Sequence, residues 1–345
     1  MLVKKNFSAR SILLFSGAHL VWLSLWAFFV AFLYKFSQLK NISIPWLPFS
    51  LIGTAVAFYV GFKNNNAYGR LWEARKIWGA IVNDSRSWAA GVVGFINNNL
   101  SEEKLTEEEL DAIKKRLVYS HIGWLYSLRK QLLIPTPWEH INQNRLVRMT
   151  TKKRLRNRGV GLYDKEVEES EVSNYLPKED YDTLINSKNT ATQIIANQAE
   201  FIAELRSKNI INDFRHVELQ ELLNNFYTHQ GKCERIKKFP LPRQYSSMSF
   251  TFIAIFSFIL PFGMVSEFSK IGEYGVWLSI PFTVVVGWVY LMMELIGDYS
   301  ENPFEGLSND IPMLSLCRTI EIDLREMLGE TELPDPIESK NYVLM

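Results

Sequence analysis

Apolar residues along this 345-residue chain are gathered into four uncharged runs, two towards each end, with a long polar stretch between them. The first covers residues 11–34, the second Ile44 to Phe62, the third Ser246 to Ser266 and the fourth Tyr274 to Met293. A helix crosses the hydrocarbon core of a bilayer with about 20 apolar residues, so each run is predicted to be a membrane span. Lys4, Lys5 and Arg10 ahead of the first run imitate a signal peptide. That run is too long for a signal core, ends in FFVAFLYKF and lacks a small-residue cleavage site, so it reads as a span. Pro45 and Pro48 stand in the first turns of the second span, where a missing N–H is tolerated, and mark where a short entry piece would separate from a longer helix. Pro261 and Pro281 fall inside the later spans, as membrane helices allow when neighbours satisfy the freed carbonyls.

The polar middle, 63–245, is predicted to be almost all helix. In Asn64 to Ile96 the residues Leu71, Ile77, Ile81 and Trp88 recur at roughly helical steps. Within the segment that starts at Ser101, Thr106 followed by Glu109 reads as a capping box. Asn189 to Leu205 and Val217 to Tyr227 are further helices, and alternating strand patterns are few. Arg145 to Tyr175 is charged and less periodic. Its basic cluster (Lys152, Lys153, Arg154, Arg156 and Arg158) reads as a solvated loop facing the acidic run Glu166 to Glu171, with attraction of phosphates as the other reading.

Two short links join the spans into hairpins. Lys and Arg are sparser in those links, Lys35 and Lys40 in one and Lys270 in the other, than in the flanks with Lys63, Arg70, Arg75, Lys76, Lys237, Lys238 and Arg243. Positive charge stays in the cytoplasm, which puts both termini and the middle there. The predicted organisation is an N-terminal arm 1–11, a transmembrane hairpin 12–62, a cytoplasmic helical domain 63–245, a second hairpin 246–293 and a cytoplasmic segment 294–345. The last has an amphipathic helix around Leu316 to Leu328.

Composition narrows the function. With 38 Lys plus Arg against 37 Asp plus Glu, the chain lacks the basic excess of a nucleic-acid binder. Its two cysteines, Cys233 and Cys317, form no CxxC or Cys/His cluster, so neither a disulfide framework nor a zinc site is indicated. No phosphate loop, dinucleotide fingerprint, HExxH or GxSxG occurs, and His19, His121, His140, His216 and His229 are scattered. An enzyme is disfavoured. So is an ion-coupled transporter, because Lys63 and Glu294 lie at span ends and no charge lies within a span. A passive pore needs no such charge, and four helices are too few to enclose one, which implies an oligomer.

GFKNNNAYGRLWEARKIWGAIVND (61–84), GKCERIKKFPLPRQY (231–245) and ENPFEGLSNDIPMLSLCRTIEIDL (301–324) resemble the signature blocks of the bestrophin family, in its bacterial branch and in the family's order. The resemblance implies an all-α homopentameric ion channel with one central pore. Second-span helices would line a narrow apolar neck, and a second constriction would lie deeper in the cytoplasmic part. Aligning Pro48 and Tyr68 with their family counterparts puts the neck at Leu47, Leu51 and Ala55, and steps of four keep these near one helix face. Ala55 is smaller than the family's usual bulky residue. Thr54, Phe58 and Phe62 form the other register, and read without the resemblance either set is an ordinary lipid or core contact. Counting back from Gly231 puts the deeper constriction near Phe214, with Val217 next, residues that equally suit a packed amphipathic helix. Asn64, Tyr68, Arg70, Glu73 and Arg75 are read as structural, fastening the second span's extension to its neighbours, with Arg70, Glu73 and Arg75 spaced for a charge network.

Animal bestrophins follow NPFG with an acidic run that binds calcium. Here Asn302-Pro303-Phe304 is followed by EGLSNDIP, which leaves only Glu305 and Asp310. Calcium takes six to eight oxygens, so current is expected to be independent of micromolar calcium. Animal members pass anions, while some bacterial relatives favour cations. The expectation is a pentameric inner-membrane channel passing monovalent ions passively, chloride or another small anion ahead of sodium or potassium. Its partners would be copies of itself, membrane lipids and small inorganic ions, with no cofactor and no nucleic acid. The rival readings are a non-conducting membrane scaffold and an enzyme tethered by its spans.

Overall fold

The computed structural model describes residues 1–37, 44–99, 104–184, 186–272 and 274–345. Lys40 of the first link, Glu273 of the second and the Ser101 start of the capping-box segment lie outside the described residues. Among the described residues there are eleven α-helices: α1 Ala9–Phe36, α2 Trp46–Phe95, α3 Glu107–Leu132, α4 Arg145–Arg158, α5 Asp164–Glu169, α6 Lys178–Leu184, α7 Thr190–Ser207, α8 Asp213–Lys238, α9 Arg243–Phe268, α10 Gly275–Asp298 and α11 Met313–Met327. Extended pairing among the described residues is limited to the isolated bridges Leu2 with Val343 and Lys340 with Val343. Two compact units result. One holds Lys4–Arg70 and Pro240–Glu301, the other Met1–Val3, Leu71–Phe239 and Asn302–Met345, and α2 contributes to both.

In the first unit the early part of α2 meets α9 and α10, and α1 packs on the same two helices. The second span is not split at its prolines. Pro45 precedes the helix and Pro48 is its third residue, where no N–H is required, so α2 runs unbroken for 50 residues. Leu23, Phe49, Val56, Val60, Ile253, Phe256 and Leu260 form the core, with Phe49 and Phe256 stacked at 4.9 Å between centroids. Polar side chains here bond inward. Trp26 Nε1 donates to the Phe258 carbonyl at 2.9 Å, Trp288 Nε1 to Ser16 Oγ at 3.0 Å and the Tyr290 hydroxyl to the Gly53 carbonyl at 3.0 Å.

At Gly297, α10 packs against Asn64 of α2. A Cβ at that position would fall 2.0 Å from Asn64 Oδ1, whose own amide donates to the Met293 carbonyl at 2.9 Å. Gly297→Ala is therefore expected to push Asn64 off that carbonyl. It should destabilise the protein by about 1–3 kcal/mol, the range for overpacking, visible as a lower melting temperature in detergent. An unchanged melting temperature would show that the two helices separate without cost.

The second unit is built on the later part of α2 with α3, α7, α8 and α11. Its core is aromatic at the centre, where Trp88, His121, Trp124 and Phe226 are all buried. Ser85 Oγ donates to the Ile81 carbonyl at 2.6 Å, so its contact with His121 Nε2 at 2.8 Å has the imidazole as donor. Burial lowers the His121 pKa to about 3, and the ring stays neutral. The capping box forms: the Glu109 N–H donates to Thr106 Oγ1 at 3.2 Å, and the Thr106 N–H to Glu109 Oε2 at 2.8 Å.

Two segments differ from their sequence pattern. α8 runs from Asp213 to Lys238, well past Val217 to Tyr227, because Asn212 caps its start on the Arg215 N–H at 3.0 Å and Arg235, Lys237 and Lys238 favour its C-terminal end. The basic cluster at 152–158 is helical, not a loop. Asn144 accepts from the Val147 N–H at 3.1 Å to start α4, and Arg156 and Arg158 suit its end. Thr151 is the buried residue of α4, so the segment shows little apolar periodicity although it is helical.

Candidate functional site

Leu47, Leu51 and Ala55, the residues expected to form a neck, lie on the early part of α2. Leu47 is 72% exposed and Leu51 65%, and Ala55 is exposed as well. Phe58, 70% exposed, and Phe62, 51%, belong to the other register with exposed Thr54. At about 100° per residue, Leu47, Leu51, Thr54, Ala55, Phe58 and Phe62 all fall within a sector of about 100°. The registers are therefore two halves of one uncovered face. Phe49, Gly53, Val56, Val60, Lys63 and Ala67 are buried on the opposite side. Neither set reaches the core of its own unit. The Thr54 hydroxyl donates to the Ser50 carbonyl at 3.0 Å, which leaves the face largely apolar.

At the end of this part of α2, Lys63 is fully buried and paired with Glu294 of α10, and Ser249 Oγ of α9 donates to the other Glu294 oxygen at 2.5 Å. Sequence placed both charges at span ends. Their pairing was not legible, because 231 positions separate them. Of the residues read as structural, Asn64 bonds to α10 as described, and Arg70 Nε donates to the Glu301 carbonyl at 2.8 Å. In the other unit Glu73 pairs with Arg235 of α8 at 2.5 Å, and the Arg75 guanidinium stands 5.8 Å from the Trp72 ring centre. Tyr68 is exposed.

Phe214 and Val217, also in the second unit, occupy the first turns of α8. Phe214 is 85% exposed and Val217 is exposed, so neither packs into the helical core. Glu218 and Glu221 are exposed one and two turns on from Phe214, within about 40° of its direction. Sequence reasoning passed over these two acids, although the same helical spacing points to them.

The segment after Asn302 carries the two carboxylates discussed for calcium. Glu305 contacts His140 Nδ1 at 2.9 Å and accepts from Asn302 Nδ2 at 2.9 Å. Asp310 accepts from the Leu307 N–H at 2.9 Å. Burial, then repulsion from Glu305, raises the Asp310 pKa to about 7, while burial lowers that of the nearby Met1 ammonium to about 6. A raised acid pKa stabilises the fold fully below the unfolded value near 4, and the contribution is lost as pH rises towards 7. Met1 acts in the opposite sense above pH about 6. Between pH 4 and 6 the wild type should therefore lose stability relative to Asp310→Asn by up to about 1.4 kcal/mol per pH unit, measured as the difference of two melting curves. Parallel curves would refute the assignment.

Ser11–Phe36, Trp46–Phe95, Asp213–Ile271 and Gly275–Asp298 are four helical stretches long and apolar enough to cross a membrane. With an all-helical polar unit and an uncovered apolar face on α2, they define an all-α membrane protein. The model of the family described as Bacterial/Fungal Bestrophin protein matches residues 10–326, and the chain belongs to that family. The "Voltage-dependent anion channel-forming protein YneE" of Escherichia coli strain K12 is 25% identical over 297 residues, covering 86% of this chain and 81% of its own. A protein of the same description from Ralstonia nicotianae, RSc3414, is 26% identical over 305 residues, covering 88% and 84%. The crystal structure of a bacterial bestrophin homolog from Klebsiella pneumoniae superposes with a TM-score of 0.73 at 21% identity, covering 91% of this chain and 99% of that one. The family expected from the three sequence blocks is the one found.

Proposed function

We propose that this chain forms a homopentameric channel in the inner membrane, passively conducting small monovalent anions such as chloride. Its α2 helices would surround the pore. The observation that carries this reading is the uncovered apolar face of α2 from Leu47 to Phe62, on a chain whose relatives are named as anion channel-forming proteins. In a ring of subunits that face becomes a hydrophobic constriction, which shapes a water-filled path without binding an ion tightly. Phe214 and Val217 supply the second constriction. The termini and the helical unit of α3 to α8 and α11 are cytoplasmic, by the distribution of Lys and Arg.

A second reading, cation conduction by the same assembly, is favoured by one feature. Glu218 and Glu221 share the exposed face of Phe214, and acidic rings select cations. Purified protein in a planar bilayer under a potassium chloride gradient distinguishes the two. Reversal near the chloride equilibrium potential is expected. Reversal near that of potassium, abolished in Glu218→Gln/Glu221→Gln, would establish the cation channel. Silent bilayers containing verified pentamers would leave a scaffold.

A further inference from the structure

In the second unit a cavity of about 650 Å³ opens between the end of α3 and the turns that follow α4. That is the size range of small-molecule sites. Arg129 on α3 lines it and is only 6% exposed. Among the described residues no carboxylate pairs with its guanidinium and no carbonyl accepts from it. The buried carboxylate of α11, Glu321, is committed to other groups. Glu321 accepts from the hydroxyls of Tyr126 and Tyr175 at 2.7 and 3.0 Å and pairs with Arg318 and Arg325. A guanidinium does not shed its proton at any ordinary pH, so a charge this deep with no acid beside it is unfavourable until an anion joins it.

The rest of the lining shows what would relieve it. Lys130, Lys152 and Arg156 are exposed at the cavity, against two acids, Asp164 and Glu171. Glu171 lies 3.9 Å from Lys130, a loose surface pair. Counting Arg129, four cations face two anions, an excess of two charges. Lys152 and Arg156 stand one turn apart on α4, which is how two members of the basic cluster reach one cavity. Between the charges the walls are apolar, with Leu133, Leu155, Val160 and Val167.

We propose that this cavity binds a soluble phosphate monoester with an apolar or aromatic body, the phosphate on Arg129 and the exposed cations at the entrance. A phosphate monoester carries nearly two negative charges at neutral pH and matches the planar donors of arginine. An inorganic phosphate would satisfy the charges and leave the apolar walls unused. No residue of α2 or α8 lines the cavity, and the proposal does not depend on the ion conducted.

The test is calorimetric titration of phenyl phosphate, with inorganic phosphate for comparison, into the purified full-length protein in detergent at fixed ionic strength. Saturable binding of phenyl phosphate, tighter than that of inorganic phosphate, is expected. Arg129→Met should weaken it by roughly tenfold or more, the scale of a charged hydrogen bond. The same variant, unliganded, should melt no lower than wild type, because it removes a buried charge that has no partner. Lys152→Gln/Arg156→Gln, both at exposed positions, should weaken binding while leaving the melting temperature unchanged. Absence of saturable phenyl phosphate binding, or wild-type binding by these variants, would overturn the assignment. So would a sharp loss of stability in unliganded Arg129→Met, which would mean that the charge is already compensated.

Discussion

Lys63→Met is expected to cost about 3–5 kcal/mol of stability, the range for breaking a buried ion pair from one side. Lys63 is fully buried and Glu294 nearly so, and the pair with Ser249 ties α2, α10 and α9 together. Removing the ammonium leaves a carboxylate facing helices that offer it one hydroxyl. Glu294→Gln should be milder, since an amide still accepts from Lys63, although the buried ammonium then lacks a counter-charge. Lys63→Met/Glu294→Leu should recover most of the loss, because an apolar pair of similar volume is often as stable as the ions it replaces. Thermal unfolding in detergent followed by size-exclusion chromatography reads all three. If Lys63→Met melts with the wild type, the pair is not what holds these helices.

Replacing one bulky residue on the exposed face of α2 should raise the single-channel conductance several-fold, as a wider apolar constriction wets more readily. Leu51→Ala tests the first register and Phe58→Ala the second. The reversal potential should stay in place for both, because neither side chain carries charge. The larger effect identifies the narrowest ring, and similar effects from both would extend the neck along the whole face. Were the face turned to lipid, both variants would conduct as wild type does. Assembly must be verified alongside, since in the proposed ring this face would also meet neighbouring subunits.

Much was legible before any coordinates. Four uncharged runs of span length are a local property of the chain, and the helices formed over them. The capping box at Thr106 and Glu109 is equally local, with donor and acceptor three residues apart, and it formed as read. The family rested on three blocks of contiguous sequence. Where the reading failed, a segment drew its stability from elsewhere. α4 buries almost nothing apolar, so its pattern resembled a loop. The turn after it is tied down by a bond from the Val160 N–H to the Gly306 carbonyl at 3.1 Å, across 146 positions.

Hydropathy and helical period by themselves determined the spans and the all-α class, because those depend on neighbours within a few turns. Tertiary structure alone decided which charges meet and which are buried: Lys63 with Glu294, Glu73 with Arg235, and Arg129 deep in a cavity with no carboxylate partner among the described residues. A charge near a helix end reads alike in sequence whether water or another helix covers it. Only the packing of distant segments sets its solvation, and so its energy.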